Sequence, residues 1–233
     1  DKKVIILSAT ASRAIYAKVF GQIVWVQISH VKHTWKRIQC SDLSHSRSTI
    51  ASLNNRRSLK SVKDFIGDMP TITFKRYRHL FSSPAEVTLE NCSGYDGLKG
   101  RDIAVIGTPH VPTIVYRLMA AALGIEFKAE DFVLEPQWVE HNGYRFHFMT
   151  YAHEGLRSIQ FYYIESALVQ ACGRNRGLRE DVACYLFSNY PLAGFEQHST
   201  KELPRSSDSI VANKTRSIPQ VLSASEVSGS TAA

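Results

Sequence analysis

The chain of 233 residues has no apolar run near the ~18–20 residues that cross a bilayer. Its longest, Val4–Leu7 and Ile103–Ile106, are strand-sized, so a spanning helix is excluded. Cysteine is scarce and scattered (Cys40, Cys92, Cys172, Cys184), with no C-x-x-C spacing. This excludes a zinc ribbon and a dense disulfide framework and leads to the expectation of a reducing, cytoplasmic setting. His141, His147 and His153 lack a ligand spacing, and no metal site is expected. There is no initiator methionine, and Asp1-Lys2-Lys3 followed by four apolar residues is too short for a signal-peptide core. A chain cut from something longer is the expectation. Acids are also short, 21 against 28 Lys and Arg, giving a formal net charge of +7. What remains is an ordinary globular composition: 44% hydrophobic, 21% charged, mean hydropathy −0.17.

The positive charge is concentrated. Between His30 and Leu80 lie eleven Lys and Arg against three acids, a local net of +8, so the rest of the chain sums to −1. Trp35, Tyr77 and four histidines are interleaved there. Such residues build a groove that tracks phosphates, and equally a solvated basic face.

Hydrophobic periodicity predicts a buried strand over Lys2–Ser8, a helix from Ser12 to Phe20 stopped at Gly21, and a strand over Ile23–Ile28. Ser44–Leu59 reads as loop and helix, Ser58–Ile66 as helix, and Thr71–Phe74 as strand. Arg101–Gly107 is a strand bounded by glycines, and Pro112 opens a helix that Gly124 closes. Asn142-Gly143 between Phe132–Glu140 and Tyr144–Tyr151 is a hairpin signal. Glu154–Cys172 reads as a long amphipathic helix, and Val182–Phe187 as the last strand. Ser199–Ala233, with nine serines and few large apolar residues, reads as a disordered tail. The pattern predicts an α/β fold: a mostly parallel sheet, helices on both faces, and a β-hairpin insertion.

Three segments carry chemistry. Ile6-Leu7-Ser8-Ala9-Thr10-Ala11 is a strand emptying into small polar residues. Gly94-Tyr95-Asp96-Gly97-Leu98-Lys99-Gly100 is a glycine-flanked loop feeding Asp102–Gly107 and then Thr108-Pro109-His110. Gln170-Ala171-Cys172-Gly173-Arg174-Asn175-Arg176 ends the long helix. In this order they resemble the back half of a superfamily-two helicase of the DinG-like or DEAD/DEAH type. Ser8-Ala9-Thr10 resembles motif III, Thr71–Lys75 lies where motif IV would begin, Gly94–His110 resembles motif V, and Gln170–Arg176 resembles motif VI. The resemblance spans Val4 to Pro191.

It implies a RecA-like second motor domain over 29–198, with the end of the first motor domain and a linker over 1–28 and the tail over 199–233. It implies Arg174 as the arginine finger, since phosphoryl transfer needs positive charge delivered from a neighbouring domain. Gln170 and Arg176 would assist it, and Gly94, Asp96, Gly97 and Gly173 would cradle the nucleotide. Lys75, Arg76, Arg78, Lys99, Thr108 and His110 would face nucleic acid, with single-stranded DNA as the partner. Ser8, Ala9 and Thr10 would couple the two sites. The cofactor implied is ATP with Mg2+. Two departures stand out. The place of the family's second motif VI arginine is Gly177, with Arg176 one residue early. No G-x-x-x-x-G-K-[ST] or Asp-Glu pair occurs, so the phosphate cradle and metal ligands would lie upstream, in a missing first motor domain. A chain so built would hydrolyse no ATP alone. A non-catalytic nucleic-acid-binding module of the same fold is the competing expectation.

Other residues carry plainer expectations. His110 reads as a structural turn histidine, Cys172 as a buried small residue, and the Asn142-Gly143 hairpin as a surface hairpin with no part in opening a duplex. Trp25, Trp35 and Trp138 read as core or rim more than as base-stacking platforms; Trp35, amid Lys32, Lys36 and Arg37, is the exception singled out for test.

Overall fold

A computed structural model describes residues 5–8, 10–26, 34–52 and 56–202. Ala9, the strand ends at 1–4 and 27–28, Lys32, and residues 203–233 of the expected tail lie outside them. In chain order the elements are α1 (Arg13–Phe20), β1 (Lys36–Cys40), α2 (Arg47–Ala51), α3 (Arg56–Ile66), β2 (Thr71–Ile72) and β3 (Ile103–Ile106). There follow α4 (Thr113–Ala122), β4 (Leu134–His141), β5 (Tyr144–Tyr151), α5 (Glu154–Cys172), β6 (Ala183–Phe187) and β7 (Glu196–His198).

Five strands form one sheet in the order β2-β3-β6-β1-β7, every pair parallel, while β4 and β5 form a separate antiparallel ribbon. Parallel sheets need cover on both faces, and this one has it. Successive side chains of β6 point to opposite faces. The Phe65 ring of α3 lies 5.1 Å from the Tyr185 ring and 6.3 Å from Phe187, while Cys172 of α5 meets Cys184. The sheet is therefore sandwiched between α3 and α5, and all four residues of β3 are buried between them.

Several expectations change. Residues 5–8 and 23–26 are not strands: Ile5 and Leu7 are 85% and 93% exposed, and Val24 is 94% exposed. A strand needs a ladder to join, and no described strand runs beside either segment. β1 was not legible as a strand because Lys36, Arg37 and Gln39 interrupt it, yet it lies between β6 and β7. Gln39 is fully buried and fully bonded: its Nε2 donates to the carbonyls of Ser188 (2.9 Å) and Tyr190 (2.8 Å), and its Oε1 accepts from Leu192 N (2.9 Å).

β2 is only two residues long, since Thr73 turns its hydroxyl to the Ile106 carbonyl (2.8 Å) and the chain passes into a 3-10 turn over Lys75–Leu80. β6 is not the last strand; β7 follows and adds to β1. The first residues of the expected tail are placed against the fold: Ser199 and Thr200 bind Asp42, the Thr200 hydroxyl at 2.6 Å. Burial pushes the Asp42 carboxyl up, but these hydrogen bonds outweigh it and its pKa is lowered.

The long helix has the expected limits but not the expected solvent face. From Ile159 to Asn175 no residue is exposed, because α4, β5 and the sheet pack around it. The hairpin turn has the two left-handed residues that a two-residue loop requires, Asn142 (φ 54°) and Gly143 (φ 79°).

Candidate functional site

The glycine loop ahead of β3 and the end of α5 meet at the amino edge of the sheet. Gly100 N donates to the Asn175 carbonyl at 3.0 Å, and Arg176 Nε donates to Asp96 Oδ1 at 2.8 Å, a second guanidinium nitrogen bonding the same oxygen. The junction is built locally. Gly94 and Gly100 take φ of 71° and 70°, which side chains resist. Asn175, fully buried, donates to the Ala183 carbonyl (3.2 Å) and accepts from Gly177 N (3.2 Å), closing a turn in which Arg176 is left-handed at φ 58°. Gly173 and Gly97 belong to the same junction. Lys99 pairs with Glu180 at 3.7 Å. Asp102, which the sequence did not single out, accepts from Ala183 N at 2.7 Å and ties the first residues of the two strands together.

Arg174 is held by its stem. Its Nε donates to the Gln170 carbonyl (3.0 Å) and Nη1 to the Tyr95 carbonyl (3.3 Å), leaving Nη2 without a partner among the described residues. The Gln170 side chain accepts from Ser93. Cys172 is buried as expected. Gly177, where a second arginine would stand, has no room for a side chain, since a Cβ there would fall on the Trp35 ring.

The other sequence-derived residues lie at the carboxyl edge, about 13 Å away along the four residues of β3. Thr108 is buried and its hydroxyl is engaged, 2.9 Å from Ser188 Oγ and 2.9 Å from Asn189 Oδ1, so it ties two loops together instead of facing solvent. His110 stacks on Phe148 at 5.9 Å; burial, and then the Arg47 charge, push its pKa down to about 4. His45, whose carbonyl accepts from Thr108 N, is likewise lowered to about 4 by burial, and its Nε2 has no partner among the described residues. Lys75 and Arg76 are exposed on the 3-10 turn, and Arg78 is half-buried. Tyr77 anchors that turn, its hydroxyl donating to the Arg47 carbonyl at 3.1 Å.

Between the two edges runs a groove of about 480 Å³ whose lining includes Thr10, Arg47, Glu90, His110 and Gln170. It brings together residues of all three segments named above: Thr10, Pro109 with His110, and Gln170. Ser8, by contrast, is exposed, and among the described residues it accepts from Thr10 N. Arg47 and Glu90 were not foreseen. The Arg47 guanidinium sits 4.7 Å from the Phe74 ring centroid and donates to the His110 carbonyl (3.0 Å) and to Glu90 Oε1 (3.0 Å); the other Glu90 oxygen accepts from Lys75 N at 3.0 Å. Burial raises the Glu90 carboxyl, yet these bonds bring its pKa below the usual range. Nothing in the local pattern marks either residue, because 43 positions separate them.

The fold defines the class as an α/β protein with a five-stranded parallel sheet and a two-stranded antiparallel ribbon. Comparison with protein-family models, curated proteins and solved structures finds no match. Among the described residues no helix is long and apolar enough to cross a membrane, and no group of three or more His, Cys, Asp and Glu could hold a metal ion.

Proposed function

We propose that the chain is the second, RecA-like motor domain of an ATP-dependent superfamily-two helicase or translocase acting on single-stranded DNA. The observation that carries the reading is the Asp96–Arg176 junction, where two segments picked out for nucleotide chemistry meet in space. The stem of Arg174 is fixed by two carbonyls with Nη2 left over, an arrangement suited to a finger that reaches a phosphate across a domain interface. Arg176 and Lys99, paired with Asp96 and Glu180, add positive charge to the same junction. The exposed Lys75 and Arg76 suit the backbone of a strand. In this reading ATP binds between two motor domains, Arg174 and Gln170 approach its phosphates from this side, and the magnesium ligands belong to the first motor domain. Bound ATP supplies the phosphoryl transfer; the residues of this chain position it and carry its closure to the strand.

The test joins this chain to its upstream half and measures DNA-stimulated ATP hydrolysis. Arg174→Ala is expected to lower the rate by ~10³ or more; a change within about twofold would overturn the finger. DNA binding without any hydrolysis by the joined protein would instead establish a non-catalytic binding module.

A further inference from the structure

The outer face of the β4–β5 ribbon carries an aromatic residue that the core does not use. The inner face turns Val139, Phe146 and Phe148 toward Phe161 and Tyr190. The outer face shows Pro136, Trp138 and Glu140 on β4, opposite Met149, His147 and Arg145 on β5, and all six are exposed. Trp138 is 64% exposed. Its cross-strand partner His147 meets it edge-on at 5.6 Å, and its diagonal neighbour Arg145 holds the guanidinium carbon 5.4 Å from the indole centroid. Glu140 stands directly opposite Arg145, yet among the described residues no carboxylate forms an ion pair with that arginine.

The ribbon is a rigid mount. Near its turn, His141 bonds Glu165 (3.0 Å), Asn142 donates to the Pro191 carbonyl (3.2 Å), and the Tyr144 hydroxyl donates to the Phe195 carbonyl (3.3 Å). An exposed indole on such a mount, with a cation lying against it, loses little entropy when a flat ring is laid on it. Charge selects the occupant. Arg145 has no carboxylate partner among the described residues, and Glu140 is the one carboxylate among the six.

We propose that this face stacks one base of a single-stranded nucleic acid on Trp138 and places Arg145 on an adjoining phosphate. The partner class rests on the nucleic-acid reading above; the surface is separate from both edges of the sheet described there. Trp35, the tryptophan the sequence singled out as a candidate to stack on a base, is half-buried against Gly177 and Phe195.

The experiment measures binding of a fluorescently labelled twelve-nucleotide oligo(dT) at low salt, and of inorganic polyphosphate as a polyanion without bases. Trp138→Ala is expected to weaken oligonucleotide binding about tenfold or more and to leave polyphosphate binding unchanged, with Trp138→Phe retaining most of the affinity. Arg145→Ala is expected to lower the slope of log affinity against log salt by about 0.7. Both side chains are exposed, and far-ultraviolet circular dichroism checks that each variant is folded. If the oligonucleotide binds and folded Trp138→Ala binds it equally well, the stacking site is overturned while the nucleic-acid reading stands. Equal losses for oligonucleotide and polyphosphate also overturn stacking. No binding by the unaltered chain overturns both.

Discussion

Asp96 Oδ1 accepts from Arg176 Nε at 2.8 Å across 80 positions of sequence. The contact makes one junction of the glycine loop before β3 and the turn after α5, where Arg176 takes a left-handed conformation (φ 58°) that a non-glycine residue rarely takes.

That conformation offsets what the ion pair contributes. The two side chains are 46% and 64% exposed, so the pair alone is worth ~0–1 kcal/mol, and left-handed backbone costs a residue with a Cβ roughly 1–2 kcal/mol that glycine avoids. Arg176→Gly is therefore expected to change unfolding free energy by less than about 1 kcal/mol in urea. A loss well beyond that would mean the junction is a stability element and not a site.

Gly177 is the converse case. A Cβ there falls on the Trp35 ring, so Gly177→Ala is expected to destabilise by roughly 1–3 kcal/mol, as other overpacked positions do. Trp35→Ala in the same chain should relieve part of that cost, making the double variant less destabilised than the two single losses summed. Additive losses in urea titrations would contradict the steric account. The same contact leaves no room for an arginine side chain at position 177.

Acid sensitivity follows from two histidines held neutral by burial. His45 and His110 are lowered to about 4 in the folded chain, whereas unfolded histidine titrates near 6.5. Between those values the unfolded chain binds more protons, so stability falls as pH drops from about 6.5 to about 4. Replacing His45 with phenylalanine keeps a ring against Phe187, 6.1 Å away at present, and removes one titrating group. The urea midpoint of His45→Phe should therefore change less between pH 7 and pH 5 than that of the unaltered chain. Parallel pH profiles would refute this.

The basic 3-10 turn makes a prediction in salt. In such a turn residues three apart eclipse, so Lys75 lies over Arg78 and Arg76 over His79, around the buried Tyr77. If the exposed cations hold phosphates, Lys75→Ala and Arg76→Ala should each reduce the salt slope of oligonucleotide binding by about 0.7. Each should weaken all sequences alike. Unchanged slopes would remove this turn from the interface.

Legibility followed the strength of local signals. The α5 limits, the Asn142-Gly143 turn, β3 between its glycines, and α4 between Pro112 and Gly124 were all readable, because each is specified by neighbours in the chain. β1 and β7 were not. Their polar residues, Gln39 above all, are satisfied by partners about 150 positions away, and no window of sequence contains that information. The strands expected at 2–8 and 23–28 failed for the opposite reason: apolar runs were present without a ladder to receive the described parts of them. At the site, Asp96, Arg174 and Arg176 were legible as residue types, but Arg47 and Glu90 were not.

By itself, then, the sequence determined that this is a basic α/β chain with a long central helix and a tight hairpin, and it singled out three segments as candidates for chemistry. Composition, periodicity and turn residues act over short range, and they suffice for that. Only the tertiary structure decided which of those segments touch, which edge of the sheet each occupies, and which tryptophan faces solvent. Those are outcomes of packing. Trp35 is covered because Gly177 leaves room for its ring; Trp138 is open because the pleat of a ribbon anchored on its inner face turns it outward.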